Sequence, residues 1–317
     1  MNRHAVVFSL LTGLCLAQDQ GTELWIQDFA AAKAKAKAEK KDLLVDFTGS
    51  DWCGWCIKLD EEVFSKDEFQ AEAPQHFVLV KLDYPRDKSI LTEAVIKQNE
   101  ELQATYSIQG YPTILLMSHD GYVYGQTGYQ KGGAAPYNAM LADMKKKGAG
   151  FQAGLSVAMT KKGLERAAAL DDCLSEIDDE VVANYHFELM KEIVELDAEG
   201  KAGLKDKYTA KVTLIEQTRM VNTAAQDLNK LIAEHMEKQQ GPEALAKLDG
   251  VIAEPKSVIH KQMALYFKGM ITMDVSRDAA AAVALLEKAR EVAPESPLVP
   301  QIDRVLPQLK KQAGGDK

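Results

Sequence analysis

Apolar positions in the first half of the chain follow two alternating patterns, short continuous runs and helical spacing. Residues 43–47 form an apolar run that is interrupted by one carboxylate, Asp46, which is typical of a buried strand. The predicted elements in chain order are helix 22–40, strand 43–47, helix 53–64, strand 77–82, helix 88–106, strands 113–117 and 122–127, and helix 137–147. This alternation predicts an α/β fold, a small mixed sheet with helices on both faces.

The second half of the chain predicts helices only. Helical spacing occurs at 161–177, 179–197, 213–239, 242–253, 257–273 and 278–293, with breaks at glycine or proline. We interpret residues 200–212 as a connection between helices. Residues 282–294 resemble the second helix of a tetratricopeptide repeat and the proline that ends it, but no clear repeat period is visible. A repeat array and a plain helical bundle therefore both stay open.

Chain length and local composition predict where the domains divide. A chain of 317 residues exceeds the roughly 100–200 residues of one usual domain. Three lysines followed by Gly-Ala-Gly at 145–150 mark the boundary. We predict a first domain at 18–147, a linker at 148–160 and an all-helical domain at 161–317.

The N-terminal 17 residues have the pattern of a signal peptide. Arg3 precedes an apolar stretch at 5–16, and the small residue Ala17 offers a cleavage site. Lipid attachment at Cys15 is an alternative, but the residue before it is leucine rather than a small one. A buried N-terminal helix is a second alternative, which the lack of an amphipathic pattern disfavours. We expect an exported protein, either periplasmic or secreted.

Charge and hydropathy argue against two kinds of partner. The formal net charge is −9, whereas binding to nucleic-acid phosphates requires clustered lysine and arginine. Beyond the N-terminal segment, no apolar run approaches the roughly 20 residues that span a bilayer. We expect no nucleic-acid partner and no membrane span in the mature protein.

Three cysteines follow residue 17, namely Cys53, Cys56 and Cys173. An odd, small number does not make a structural disulfide framework, and a close pair with one distant cysteine indicates a reactive site plus a spare thiol. A Cys-x-x-Cys pair can also be half of a zinc site. The other ligands would have to come from Cys173 and from histidines without ligand-like spacing, so we predict no metal site.

Cys53 and Cys56 lie where a predicted strand gives way to a helix. At a helix N-terminus, backbone N–H groups and the helix dipole favour the thiolate form of the first sulfur. With Asp46 before the pair and Gly-Tyr-Pro-Thr at 110–113 before a later strand, the sequence resembles the thioredoxin superfamily over residues 22–147. The resemblance implies a thioredoxin-like fold and a redox-active disulfide that needs no further cofactor.

The resemblance implies a catalytic role for three residues. Cys53 would attack a substrate disulfide, and Cys56 would then attack the resulting mixed disulfide and release the reduced substrate. Asp46 stands where thioredoxin-like proteins keep a buried acid, whose raised pKa suits it to take a proton from Cys56. Cys173 is interpreted as a partly buried spare thiol, with regulatory or intermolecular pairing as the alternative.

The resemblance also implies which residues bind substrate. Tyr111 and Pro112 match the cis-proline loop, which offers its backbone to an extended substrate strand. Trp52 precedes Cys53 and Trp55 lies between the cysteines, and both would supply aromatic contacts. The dipeptide between the cysteines, Gly54-Trp55, differs from the Gly-Pro of thioredoxin and the Gly-His of protein disulfide isomerase, which leaves the redox direction open.

The sequence thus predicts a thiol–disulfide oxidoreductase that acts on exported proteins, as a reductase or isomerase rather than an oxidase. Its partners would be protein disulfides or dithiols, with a separate electron donor if it is a reductase. Self-association through the helical half stays open. The alternative from another class is a non-catalytic adaptor in which the helical domain binds the partner, and the intact cysteine pair argues against it.

Overall fold

The structure is a computed structural model that describes residues 24–314. The predicted signal peptide at 1–17 lies outside the described residues. By internal packing the chain separates into two compact units. The first unit contains residues up to 153 and residues 175–185, and the second contains 154–174 and the residues from 186 onward.

The first unit is built around a five-stranded mixed sheet. Its strands are β1 (Trp25–Ile26), β2 (Asp42–Thr48), β3 (Phe77–Asp83), β4 (Thr113–Met117) and β5 (Val123–Thr127), in the spatial order β1-β3-β2-β4-β5. Strand β3 runs parallel to β1 and β2, whereas β4 is antiparallel to β2 and β5. The helices are α1 (Phe29–Glu39), α2 (Gly54–Leu59), α3 (Asp67–His76), α4 (Glu93–Thr105), α5 (Ala134–Thr160), which continues into the second unit, and α7 (Asp179–Tyr185).

Strand β2 is the centre of this sheet. All seven of its residues are buried, and β3 and β4 pair with its two edges. Its C-terminal end leads into α2 through a loop at 49–53. A parallel central strand that feeds directly into a helix is the arrangement that the alternating pattern predicts, and the predicted fold class is confirmed.

The predicted helix at 22–40 is wrong at its beginning. Trp25 and Ile26 pair with Leu79 and Val80 of β3 as a short edge strand. The Trp25 ring lies 5.0 Å from the ring of Phe64, so packing of a large aromatic side chain overrides helix propensity there. Helix α1 begins at Phe29, after Asp28 caps it by accepting the N–H of Ala31.

The last helix of the first unit is longer than the sequence pattern predicts. Helix α5 runs from Ala134 to Thr160, so residues 148–160, predicted as a linker, form its C-terminal part. Gly148 permits this continuation because a Cβ at that position would stand 2.4 Å from the ring of Tyr124. The glycines therefore serve close packing rather than a chain break.

In its described residues, the second unit contains helices and no strand. These are the second part of α5 with α6 (Gly163–Leu174), α8 (Phe187–Leu196), α9 (Lys205–Glu237), α10 (Gly241–Ala253), α11 (Val258–Ser276), α12 (Ala279–Val292) and α13 (Val299–Ala313). The all-helical prediction is confirmed, and a tetratricopeptide-like repeat stays a prediction. Within residues 24–314 no helix is long and apolar enough to cross a membrane.

Residues 200–212, predicted as a connection, already include the first two turns of α9. Gly200 and Gly203, in the turn between α8 and α9, each have a φ of 71°, a left-handed conformation that glycine adopts without strain. The Asp197 carboxylate then accepts the N–H groups of Ala202, Leu204 and Lys205. These bonds satisfy backbone groups that would otherwise be unpaired at the beginning of a helix.

Candidate active site

Cys53 and Cys56 are joined in a disulfide at the beginning of helix α2. Cys53 caps the helix, since its Sγ accepts the N–H of Cys56 at 3.2 Å. Both residues are largely buried, with 6% of Cys53 and 4% of Cys56 exposed. This places the first sulfur where the helix N-terminus stabilises negative charge, and the second one turn further in.

Asp46 lies in the middle of the central strand β2 and is 4% exposed. Burial, which removes water from the carboxylate, is the main cause that raises the pKa of Asp46 to about 8, and the charges of Asp60 and Asp83 raise it further. Lys81, its register neighbour on β3, acts in the opposite direction. Asp46 Oδ1 has no hydrogen-bond partner among the described protein atoms.

Asp46 and Cys56 line the same small cleft, which has a volume of about 160 Å³. When the disulfide is reduced, the Cys56 thiol and the unpaired Asp46 oxygen share this cleft, an arrangement that suits general-base catalysis by the carboxylate. A carboxyl with a pKa near 8 is mostly protonated at pH 7, and the fraction that can act as a base grows as the pH rises. It therefore titrates in the range where thiols react.

The Tyr111–Pro112 peptide bond is cis, and Pro112 directly precedes β4. The Tyr111 ring packs edge-to-face on Trp52 with centroids 5.7 Å apart, so this loop lies beside the residues that lead into Cys53. Gly128 permits a close approach here, since a Cβ on it would stand 3.0 Å from the Pro112 carbonyl oxygen. The structure thus brings Tyr111, Pro112 and Trp52 together.

Trp52 is held in place on one side of the disulfide. Its indole Nε1 donates to the backbone carbonyl of Tyr84 at 2.8 Å, and the Arg86 guanidinium lies over the Trp52 ring. The Tyr111 hydroxyl in turn accepts a hydrogen bond from Gln103 on α4. These contacts hold the Trp52 and Tyr111 rings in place. Trp52 remains 38% exposed.

Trp55 lies between the two cysteines in sequence and is 59% exposed. Its ring contacts that of Tyr129 with centroids 5.1 Å apart, and the Lys58 ammonium lies over both rings. The Tyr129 hydroxyl donates to Glu62 at 2.6 Å, and Lys58 forms an ion pair with Glu62 at 3.7 Å. The exposed indole is therefore supported from below by a polar contact network.

Sequence reasoning missed several of these neighbours. Glu62 was detectable from its position four residues after Lys58 on one helix, which favours an ion pair. Lys81 carried a weaker signal, a single lysine within the apolar run of β3. Tyr129 carried none, because only the packing of the loop after β5 brings it to Trp55.

Cys173 is a buried thiol on α6 in the second unit, with 1% of the residue exposed. Burial and the nearby Asp172 raise the pKa of the Cys173 thiol to about 11. Helix α5 packs closely against it, since a Cβ on Gly154 would stand 2.5 Å from the Cys173 Cβ. A protonated and enclosed thiol is a poor nucleophile.

Cys173 should therefore resist alkylation in the native chain. Relative to an ordinary thiol with a pKa of 9.0, we expect iodoacetamide to modify Cys173 about a hundredfold more slowly or worse, because its thiolate is about a hundredfold rarer. Mass spectrometry of the reduced protein measures this, with Cys53 as the internal reference. Rapid native labelling of Cys173 would contradict the buried interpretation and support a regulatory thiol.

The described sequence matches known proteins over its first unit. Residues 29–145 match the model of the thioredoxin-like domain family. The disulfide bond reductase DsbH of Chlamydia pneumoniae is 33% identical over 111 residues, which are 35% of this chain and 66% of DsbH. The thioredoxin-related protein DsbJ of the same organism is 33% identical over 103 residues, which are 32% of this chain and 29% of DsbJ. The matches therefore cover less than two thirds of these curated relatives.

Two solved structures are similar over the same part. A DsbH oxidoreductase has 31% identity and a TM-score of 0.37, and the match covers 39% of this chain and 85% of that one. A disulphide isomerase from Xylella fastidiosa Temecula1 has 25% identity and a TM-score of 0.30, and the match covers 41% of this chain and 98% of that one.

Proposed function

Because residues 29–145 form a thioredoxin-like domain related to the disulfide bond reductase DsbH and carry the Cys-x-x-Cys pair of thiol–disulfide oxidoreductases, we propose that this protein reduces disulfide bonds of exported proteins. The observation that carries the proposal is the Cys53–Cys56 disulfide at the N-terminus of α2, beside the unpaired carboxyl of Asp46.

The reaction begins with the reduced pair. The Cys53 thiolate attacks one sulfur of a substrate disulfide, a mixed disulfide forms, and the other substrate sulfur leaves as a thiolate. Asp46 takes the proton of Cys56, and the Cys56 thiolate attacks Cys53 Sγ. The bond between Cys53 and the substrate breaks, the second substrate sulfur leaves, and two electrons have passed from the protein to the substrate.

Substrate would bind over the disulfide between the two tryptophans. Trp52 and Trp55 offer exposed aromatic surface near the cysteine pair, and the loop at Tyr111–Pro112 supplies backbone groups at the beginning of β4. Such a groove suits an extended polypeptide segment that carries a cystine, because backbone pairing is independent of side-chain sequence. We propose protein disulfides as the substrate class.

The exported location is part of the proposal and is supported by the sequence pattern at residues 1–17. Reductase turnover also requires a separate dithiol donor. Within residues 24–314, Cys173 is the only cysteine outside the active pair, and its thiol is buried and cannot relay electrons to the pair.

The reduction potential of the Cys53–Cys56 couple tests the reductase assignment. Gly54 and Trp55, the residues between the two sulfurs, carry no positive charge that would stabilise a reduced Cys53 thiolate, and a less stabilised thiolate makes a couple more reducing. We expect a value near the roughly −270 mV of thioredoxin, measured by equilibrating the full chain in dithiothreitol buffers and following Trp52 and Trp55 fluorescence. A Cys56→Ser variant, which cannot form the disulfide, is the control and should show no transition.

A potential of about −180 to −120 mV would contradict the reductase assignment. That range is characteristic of disulfide isomerases and oxidants, whose reduced forms are stabilised. The fold and the catalytic pair would be retained, and the direction of electron flow would have to be reassigned.

A further inference from the structure

The cleft beside the active site reaches from solvent to the buried acid. Asp46 and Cys56 lie at its inner end, Lys81 lines it, and the exposed residues Asp60 and Glu61 stand at its outer end. The exchange mechanism described above uses only the two inner groups. Asp60 is therefore an acidic group on the same cleft as the catalytic acid that takes no part in the exchange steps.

Asp60 lies one helical turn after Cys56, since its backbone N–H donates to the Cys56 carbonyl. The α-helical pairing of α2 gives way to a wider turn at Asp60–Phe64, in which the Asp60 carbonyl accepts the N–H of Ser65 at 2.9 Å. This turn seats Val63 and Phe64 in the core, both nearly fully buried. The wider turn begins at Asp60 and changes the direction of the residues that follow it, whereas Asp60 itself stays in helical register with Cys56 at the cleft.

Charged and titratable groups face Asp46 from each neighbouring element. They are Lys81 and Asp83 on β3, Asp60 on the wider turn, Cys56 on α2 and Tyr137 on α5. Lys81 lowers the pKa of Asp46, whereas Asp60 and Asp83 raise it, with burial as the larger cause. Asp83 is held by Ser50, whose N–H and hydroxyl both donate to its carboxylate, so Asp60 is the acid in the set that stands in solvent.

We propose that Asp60 is a positioning residue for the second half of the reaction, whose carboxylate keeps the proton on Asp46 and thereby sets the pH above which Asp46 deprotonates Cys56. The inference rests on the proposed thiol–disulfide exchange at this pair. Two negative charges on one narrow cleft repel each other, and water screens them less there than on an open surface. Removing the outer charge makes the inner carboxyl ionise at lower pH.

The step that Asp60 influences can be followed with Ellman's reagent as the oxidant. The reduced pair reacts with one reagent molecule, Cys53 releases the first thionitrobenzoate, and Cys56 releases the second when it attacks the mixed disulfide. Two thiols become one disulfide, two thionitrobenzoate anions form, and two protons are given up. Stopped-flow absorbance separates the two releases, and Cys173 is too enclosed to contribute.

Asp60→Asn in the full chain is the decisive variant. We expect the rate of the second release to rise with pH around a midpoint that is about half a pH unit lower than in the parent, and about threefold faster release on the acidic side. Glu61→Gln is the matched control, because Glu61 lines the same cleft without shifting the pKa of Asp46. Its midpoint should equal that of the parent.

Asp60→Asn is also made in a protein that carries Asp46→Asn. This comparison shows whether Asp60 acts on Cys56 through Asp46 or directly. We expect Asp60→Asn to move the midpoint only when Asp46 is present. An equal shift in both backgrounds, no shift in either, or an equal shift from Glu61→Gln would overturn the inference. Absence of the first release would instead contradict the proposed function, since that phase depends on Cys53 alone.

Discussion

Replacing Cys53 by serine is expected to abolish reduction of a protein disulfide, lowering turnover about a thousandfold or more. The hydroxyl of serine stays protonated at neutral pH, so the helix N-terminus that favours a thiolate at this position has no anion to stabilise. The measurement is reduction of insulin by the full chain with dithiothreitol as donor. Cys173→Ala is the matched control and should retain parent activity, because this thiol is buried in the second unit.

Cys56→Ser has a different expected result, which makes the pair of variants informative. The Cys53 thiolate still attacks the substrate, but the resolving thiol is missing, so the mixed disulfide accumulates. Non-reducing mass spectrometry should detect one substrate chain bound through Cys53. Retained insulin reduction in Cys53→Ser would contradict the enzyme assignment and favour the adaptor alternative, in which the helical half binds the partner.

Replacing Asp46 by asparagine is expected to stabilise the first unit at neutral pH by about 4 kcal/mol. Burial raises the folded-state pKa of Asp46 to about 8, above the ordinary value of 3.8 that applies when the chain is unfolded. The native state therefore holds a proton that the unfolded state releases between these two values. Stability falls as pH rises from about 4 to about 8 and is constant above that, and the variant escapes this loss.

Urea unfolding at several pH values measures this gain. All three tryptophans of the chain, Trp25, Trp52 and Trp55, lie in the first unit, so their fluorescence follows that unit alone. The difference between variant and parent should be small near pH 4 and grow toward pH 8. A difference that does not change with pH would contradict the buried-acid interpretation.

Asp42→Asn is a matched control on the same strand with the opposite expected sign. Asp42 is also buried, but its carboxylate accepts hydrogen bonds from the Tyr124 hydroxyl at 2.9 Å and from Lys145 at 3.3 Å. Neutralising it weakens both contacts, and we expect a loss of about 1 kcal/mol. Asp42 and Asp46 are both buried aspartates on β2, and they differ in that, among the described residues, only Asp42 has hydrogen-bond partners. Comparing the two variants therefore isolates the effect of those partners on stability.

The Asp46→Asn variant should be more stable but slower in thiol–disulfide exchange. Without a carboxylate, the Cys56 proton has to leave to water, and the second thionitrobenzoate release should slow at neutral pH. A residue that destabilises the fold and speeds the reaction is the expected compromise at a catalytic site. This result would also explain why the core of a small sheet retains an unpaired acid.

Several features of this protein follow from the sequence alone. The apolar run of β2 with its single carboxylate, the cysteine pair that follows it and the Tyr-Pro before β4 are local patterns, so they predict the order of elements along the chain, the fold class and the redox pair. The all-helical second half is likewise local, because helical periodicity is repeated within each segment. Domain bounds, the signal peptide and the roles of the site residues stay predictions.

The remaining features depend on contacts between residues far apart in sequence. Trp25 pairs as a strand because it packs on Phe64, and helix α5 passes through Gly148 because Tyr124 fills the space beside it. The same holds for the site, where sheet register sets Lys81 next to Asp46 and the fold brings Asp46 of β2 and Asp60, one turn after Cys56, to the same cleft. Local propensity cannot encode these neighbours, since tertiary packing decides which distant side chains share a desolvated space.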